Sequence, residues 1–233
     1  MKICIQITMA EEAKPFLELL SLKKCEPLKT SIPHNLYHET FEGHEIFLIV
    51  NGRFNENISF IGTEFATLIS YTAISQLAPN ILINAGTAGG KQSSGLKIGD
   101  VTIAEKVFFH DHRVSIPGYN EYFKGDFSPN IKYYNPLLSI NNLIPAIVST
   151  GNSFEMNSSD EKSILELNSS VKEMELCAIA QVASFHNTPW IGIKSITDII
   201  DISEKPTSDQ FFENLNLACT NLSKTLKEII SIL

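Results

Sequence analysis

The segment Ile81-Leu82-Ile83-Asn84-Ala85-Gly86-Thr87-Ala88-Gly89-Gly90 joins an apolar, strand-like run to a cluster of glycines. Glycines at the carboxyl end of a buried strand let backbone amides approach a ligand where a Cβ would obstruct them. In open α/β sheets, ligands bind in the crevice outside those carboxyl ends. The spacing is not that of a phosphate-binding P-loop, because Lys91 follows the glycines without a hydroxyl partner. It is not a dinucleotide fingerprint either, since no helix clearly opens from the last glycine. Taken alone, the segment also reads as a plain glycine-rich turn between two strands, and Ile98-Gly99-Asp100 opens another apolar stretch beyond it.

Outward from this segment, strands and helices alternate. Residues 3–7 read as a first strand and 10–20 as helix. Runs near 35–38 and 45–50 look like a hairpin turning through Glu42-Gly43. Between 56 and 77, Ile58, Ile61, Phe65, Leu68 and Tyr71 step by three and four, which predicts a helix closed by Pro79. Strand returns over 80–84 and from 100 to 109. Residues 110–134 carry Gly, Pro, Asn and aromatics without a period and read as a long functional loop. A strand at 146–149, a helix at 157–166 and a strand edge at 171–173 follow. Residues 176–185 are apolar on most sides, as in a buried helix, and 190–196 form a strand interrupted by Lys194 and Ser195. In the last helix, Thr207 and Gln210 have capping-box spacing. Phe211, Leu215, Ala218, Leu222, Leu226 and Ile229 then form an amphipathic stripe. The expected fold is α/β: a single domain over residues 1–233, with a mixed, largely parallel central sheet flanked by helices.

Composition narrows the function. At 233 residues and 43% hydrophobic content, the chain can bury one sizeable core. A formal net charge of −8 argues against a nucleic-acid or anionic-membrane surface. Arginine occurs only at Arg53 and Arg113, although phosphate-using enzymes lean on arginine. Cys4, Cys25, Cys177 and Cys219 are far apart and form no CxxC pair, which suits a reducing compartment. The first seven residues are too short for a signal-peptide apolar core, and no apolar stretch reaches membrane-spanning length. A soluble, cytoplasmic protein is expected. Six scattered histidines do not make a zinc site.

Three acidic sites stand at strand-to-helix junctions: Met9-Ala10-Glu11-Glu12, Glu173-Met174-Glu175 and Thr197-Asp198. Each has a plain structural reading. Glu11 and Glu12 suit a helix amino terminus electrostatically, and Asp198 could cap a turn. Glu175 enters a buried helix, where an unpaired carboxylate is costly, and that favours a ligand contact. Three carboxylates at one sheet edge beside a glycine run point together to a site.

These three motifs, the segment 84–90, Ile98-Gly99-Asp100, Phe109-His110-Asp111 and Ser149-Thr150-Gly151-Asn152-Ser153-Phe154 recur in an order that resembles one family. It is the 5′-methylthioadenosine/S-adenosylhomocysteine nucleosidases of the purine nucleoside phosphorylase superfamily. The resemblance runs from Met1 to the last helix, and Asn51-Gly52-Arg53, His110-Asp111-His112-Arg113 and residues 201–211 give it a plant-type flavour. It implies hydrolysis of the N-glycosidic bond between adenine and a 5-thio-substituted ribose, with no metal or organic cofactor, by a homodimer. Protonated Asp198 would donate to adenine N7, and Glu12 would position and deprotonate water. Glu175 would accept the ribose hydroxyls, and Met174 would lie along the sugar. Phe154 would stack on adenine, and the backbone of Glu155 would read its Watson–Crick edge. Thr87, Ala88 and Gly89 would line the region of the nucleophile, with Met9, Glu173 and Lys194 completing the substrate-binding set. Val114, Pro117 and Tyr119 would line the 5′ pocket of the neighbouring subunit.

Superfamily phosphorylases place an arginine just before the glycine run, where this chain has Asn84, and tend to carry one in the first loop, where it has Glu12. A carboxylate there repels phosphate and can serve water, so water is the expected nucleophile. Asn152, Lys194 and Pro117 depart from residues common in bacterial relatives; the last two fall near the 5′ pocket or its support, so use of both substrates is not implied. Three alternatives stay open: a nucleosidase for another 5′-modified purine such as futalosine or 5′-deoxyadenosine, a phosphate-dependent phosphorylase, and a non-catalytic purine-nucleoside-binding protein.

Overall fold

The computed structural model describes residues 1–202 and 205–233, so residues 203 and 204 of the stretch 201–211 lie outside the described residues. In chain order the strands are β1 (Lys2–Ile7), β2 (Lys23–Cys25), β3 (His34–Phe41), β4 (His44–Asn51), β5 (Arg53–Asn55), β6 (Ile58–Ser59), β7 (Ile81–Gly90), β8 (Val101–Phe109), β9 (Leu143–Thr150), β10 (Val171–Glu173) and β11 (Trp190–Ile199). The helices are α1 (Ala10–Leu20), α2 (Thr63–Leu77), α3 (Tyr119–Lys124), α4 (Ile131–Leu137), α5 (Ser158–Glu166), α6 (Leu176–Phe185) and α7 (Thr207–Ile232).

Nine strands form a mixed sheet in the order β10-β9-β8-β11-β7-β1-β4-β3-β2. The central strands β4, β1, β7 and β11 run parallel, so their carboxyl ends share one edge. β10 pairs with both β9 and β7, which bends that side of the sheet back onto itself. Successive side chains of a strand face opposite ways. Cys4 and Leu82 accordingly join one apolar layer with Ile69 and Ala73 of α2 and Ile179 of α6. Ile3, Ile5, Ile81 and Ile83 join the other, with Phe16 of α1 and Leu222 and Leu226 of α7. Each fully buried aliphatic side chain contributes roughly 1.5–3 kcal/mol relative to exposure, so both layers are needed to hold the sheet edge in place.

The structure corrects several sequence expectations. The glycine run is not a loop: β7 continues as strand through Gly90, and Asp198 lies within β11 rather than after it. The helix expected from residue 56 begins at Thr63, because Gly62 adopts a φ of 93°, outside helical conformation. Residues 53–59 instead form a two-stranded ribbon, β5 with β6. The stripe assigned to that helix faces outward, with Leu68 and Tyr71 exposed, while Ala66, Ile69, Ala73 and Ile74 are buried. The segment 110–134 contains α3 and the start of α4. Among the described residues, Thr207 makes no capping bond. Gln210 instead accepts from the Ile199 amide at 3.0 Å and donates to the Lys205 carbonyl at 2.9 Å, tying α7 to the end of β11.

Candidate active site

The shared carboxyl edge of the sheet opens onto a cavity of about 400 Å³. Thr8, Met9 and Glu12 reach it from β1 and the first turn of α1, and Thr87, Ala88 and Gly89 from β7. Glu173, Met174 and Glu175 enter from the β10–α6 junction, and Thr197 and Asp198 from β11. Phe154, Phe211 and Phe212 add aromatic walls, Phe154 and Phe211 standing edge to face with centroids 5.8 Å apart.

Glu12 is buried and accepts three hydrogen bonds, from the Thr87 hydroxyl at 2.6 Å, the Thr87 amide at 2.7 Å and the Met9 amide at 3.1 Å. Burial pushes its carboxyl above the usual range, against the pull of these donors and of the Lys194 charge. The close approach depends on Gly86, whose Cβ would lie 3.3 Å from a Glu12 oxygen.

Glu175 accepts from the Gly62 amide at 2.9 Å. Burial first, and the neighbouring Glu173 charge second, raise its pKa to about 7. Gly62 is held in turn by Asn152, whose side chain accepts from the Thr63 amide at 2.9 Å and donates to the Thr63 hydroxyl at 2.6 Å. Glu173 anchors the loop from below. Its carboxylate accepts the amides of Glu175 at 3.0 Å and Leu176 at 2.9 Å, the Thr150 hydroxyl, and the Lys194 ammonium at 2.7 Å. Burial alone would raise Glu173, but Lys194 and these donors outweigh it and hold the carboxyl below its ordinary value. Burial likewise pushes Lys194 down, yet the charges of Glu173 and Glu175 prevail and hold it up.

Asp198 is buried, and its carboxylate accepts from the Thr197 hydroxyl at 2.8 Å. Burial raises its pKa against the weaker effects of Thr197 and Lys172. Gly89 makes room for it, since a Cβ there would sit 2.6 Å from Asp198 Oδ2 and 2.5 Å from Ile200 Cγ2.

Most of the sequence-derived site residues therefore meet around one cavity, but not all. Lys194 lies behind Glu173, 1% exposed, and does not line it. Glu155 is exposed and outside the lining; exposed Pro117 and Tyr119 and half-buried Val114 lie outside it too. Val114 and Pro117 instead border a separate hollow beside α5. Asn84 does not face the cavity either, and its amide donates to the Gln6 carbonyl at 3.2 Å. Sequence reasoning missed Lys172, a buried lysine in the lining, and the ribbon residues Asn57, Ile58 and Ser59. The one signal for Lys172 was a charge within an otherwise enclosed strand.

A family model described as the phosphorylase superfamily matches residues 2–231. The chain is 36% identical, over 97% of its length, to 85% of a 5′-methylthioadenosine nucleosidase of Arabidopsis thaliana. It is 34% identical, again over 97%, to 89% of a 5′-methylthioadenosine/S-adenosylhomocysteine nucleosidase of the same plant. The structure of Arabidopsis thaliana 5′-methylthioadenosine nucleosidase in apo form matches with a TM-score of 0.92 and 33% identity, covering 99% of this chain and 94% of that one. The fold and the sequence together place the chain in the phosphorylase superfamily and, within it, among the methylthioadenosine nucleosidases.

Proposed function

We propose that this chain hydrolyses the N-glycosidic bond of 5′-methylthioadenosine, releasing adenine and 5-methylthioribose. The observation that carries the reading is the placement of Glu12 and Asp198 on one cavity, from the first turn of α1 after β1 and from β11, strands on either side of β7, with Glu175 between sheet and α6. As the C1′–N9 bond breaks, its electron pair moves to the purine and positive charge gathers on the sugar. Asp198, whose pKa burial raises, delivers its proton to N7 from its acid form, so adenine leaves neutral. Water forms the new bond to C1′ and gives its proton to Glu12. The resting state returns when Glu12 loses that proton and Asp198 regains one from solvent. Glu175 accepts the ribose hydroxyls and Phe154 lies against the base. An acid and a base thus act on opposite sides of an oxocarbenium-like centre, as in glycoside hydrolysis.

We also read the protein as a cytoplasmic homodimer. Ile58 and Ile61 line the cavity mouth while being 53% and 45% exposed, and Leu68 and Tyr71 continue an apolar face along α2. A second copy on that face would close the mouth and bring its own Val114, Pro117 and Tyr119 toward the 5′ substituent. The four cysteines are free, which suits a reducing compartment. Among the described residues, no helix is long and apolar enough to cross a membrane.

The test is incubation with 5′-methylthioadenosine, S-adenosylhomocysteine and futalosine in phosphate-free buffer, with the released base followed by chromatography. Adenine from methylthioadenosine is the expected result. Hypoxanthine from futalosine alone, or no base from any of the three, would refute the reading.

A further inference from the structure

We propose that Lys172 is the charge partner of the departing base: facing Asp198 across Gly89, its ammonium stabilises the negative charge that gathers on the purine as the glycosidic bond breaks. The inference rests on the nucleosidase reading and adds a residue to it. Two strands converge on one glycine: in β10 Lys172 pairs with Gly89, and in β11 Asp198 pairs with the same Gly89. Because Gly89 has no side chain, the Asp198 carboxyl packs directly over it, and Lys172 and Asp198 both line the cavity.

Lys172 is only 5% exposed. Its Nζ donates to the Ser153 carbonyl at 2.6 Å and the Phe154 carbonyl at 2.9 Å, the backbone beside the aromatic wall. An ammonium has three hydrogens, so these two bonds leave one for the cavity. Neither carbonyl carries a formal charge, and a buried ammonium needs one to face. The charged and titratable groups around it are Asp198 from β11, Asp160 from α5, Glu173 on its own strand, Glu155 from the preceding loop and His110 beyond β8. Asp160 is bonded to Arg113 and Glu173 to Lys194, while Glu155 is exposed. Asp198, in its acid form, is neutral. The negative charge that Lys172 meets is then the one that develops on the purine and passes to the Asp198 carboxylate as N7 takes the proton, where a preorganised cation acts most strongly.

The test is Lys172→Gln, which retains a donor for the two carbonyls but removes the charge, alongside Lys172→Arg, which retains both. Adenine release is measured from 5′-methylthioadenosine and from its 2-fluoroadenine analogue, whose less basic purine is a better leaving group. Lys172→Gln should lower kcat on methylthioadenosine by about ten- to a hundredfold with a small change in KM. Its penalty should shrink at least severalfold on the fluorinated substrate. The penalty of Lys172→Arg should be the same on both. An unchanged kcat in Lys172→Gln, or equal penalties on the two substrates, would mean that Lys172 only holds the loop, and the proposal falls. If Lys172→Gln does not fold, a Lys172→Arg penalty that depends on the leaving group overturns it. Absence of turnover in the wild type refutes the nucleosidase reading itself, a different failure.

Discussion

Replacing Glu175 by glutamine should stabilise the free protein while impairing it as an enzyme. Glu175 sits buried with Glu173 close by, and its pKa is raised to about 7 from an ordinary 4.5. Between those values the native state holds a proton that the unfolded chain has already released. Native stability therefore falls as pH rises from 4.5 to 7, and above 7 the full penalty persists. At about 1.4 kcal/mol per pH unit, the difference comes to about 3 kcal/mol. Glutamine presents the same oxygen to the Gly62 amide and leaves the Glu173–Lys194 pair as a neutral unit. Thermal unfolding of the ligand-free protein at pH 8 should show Tm raised by roughly 6 to 12 °C for a chain of this size. At pH 4.5 the two proteins should melt together. Adenine release should fall in parallel, since an amide accepts ribose hydroxyls more weakly than a carboxylate. A variant no more stable than wild type at pH 8, or one whose gain is the same at pH 4.5, would show that Glu175 is not held at a cost, and the electrostatic account of this junction would fail.

Three further outcomes follow from the geometry. Gly89→Ala forces a methyl to within 2.6 Å of Asp198 Oδ2 and 2.5 Å of Ile200. It should cost about 1–3 kcal/mol in denaturant titration and remove most activity by displacing the acid. Lys194→Met leaves Glu173 buried without its cation and should destabilise by about 3–5 kcal/mol. Adding Glu173→Gln should recover much of that loss, and strict additivity of the two substitutions would contradict the pairing. Asp198→Asn should abolish adenine release with the fold intact by circular dichroism, and full activity would remove Asp198 from the acid role.

How much of this was readable beforehand varied with the range of the interactions. β1, α1, α6 and the long stripe of α7 are local patterns, and their elements formed near where periodicity placed them. The helix expected from residue 56 failed because Ile58 and Ile61 fall at helical spacing by coincidence, while the positive φ at Gly62 breaks the backbone. The stripe was inverted for a different reason. α2 packs through small residues such as Ala66 and Ala73, leaving its larger Leu68 and Tyr71 outside. Glu12, Glu173, Glu175 and Asp198 stood out because carboxylates at strand ends are conspicuous in apolar surroundings. Lys172 did not, since its meaning depends on β10 pairing with β7 some eighty residues away, and no local pattern encodes that register.

The choice between water and phosphate turns on Thr87 rather than on Asn84. A phosphate bound beside C1′ would need the donors nearest the sugar, and here the Thr87 amide and hydroxyl and the Met9 amide all point at the Glu12 carboxylate. The Glu12 carboxyl group thus already takes the donors that a bound phosphate would need. Asn84 bears on the question only indirectly, since its side chain turns to the Gln6 carbonyl within the sheet. The rate of adenine release should therefore be the same with and without phosphate, and no ribose 1-phosphate should form. Glu12→Gln should suppress turnover while substrate analogues still bind, because an amide retains the Thr87 contact but cannot take the proton from water. Phosphate-stimulated release by the wild type would show that Thr87 can be freed for an anion, and the hydrolytic assignment would have to be abandoned.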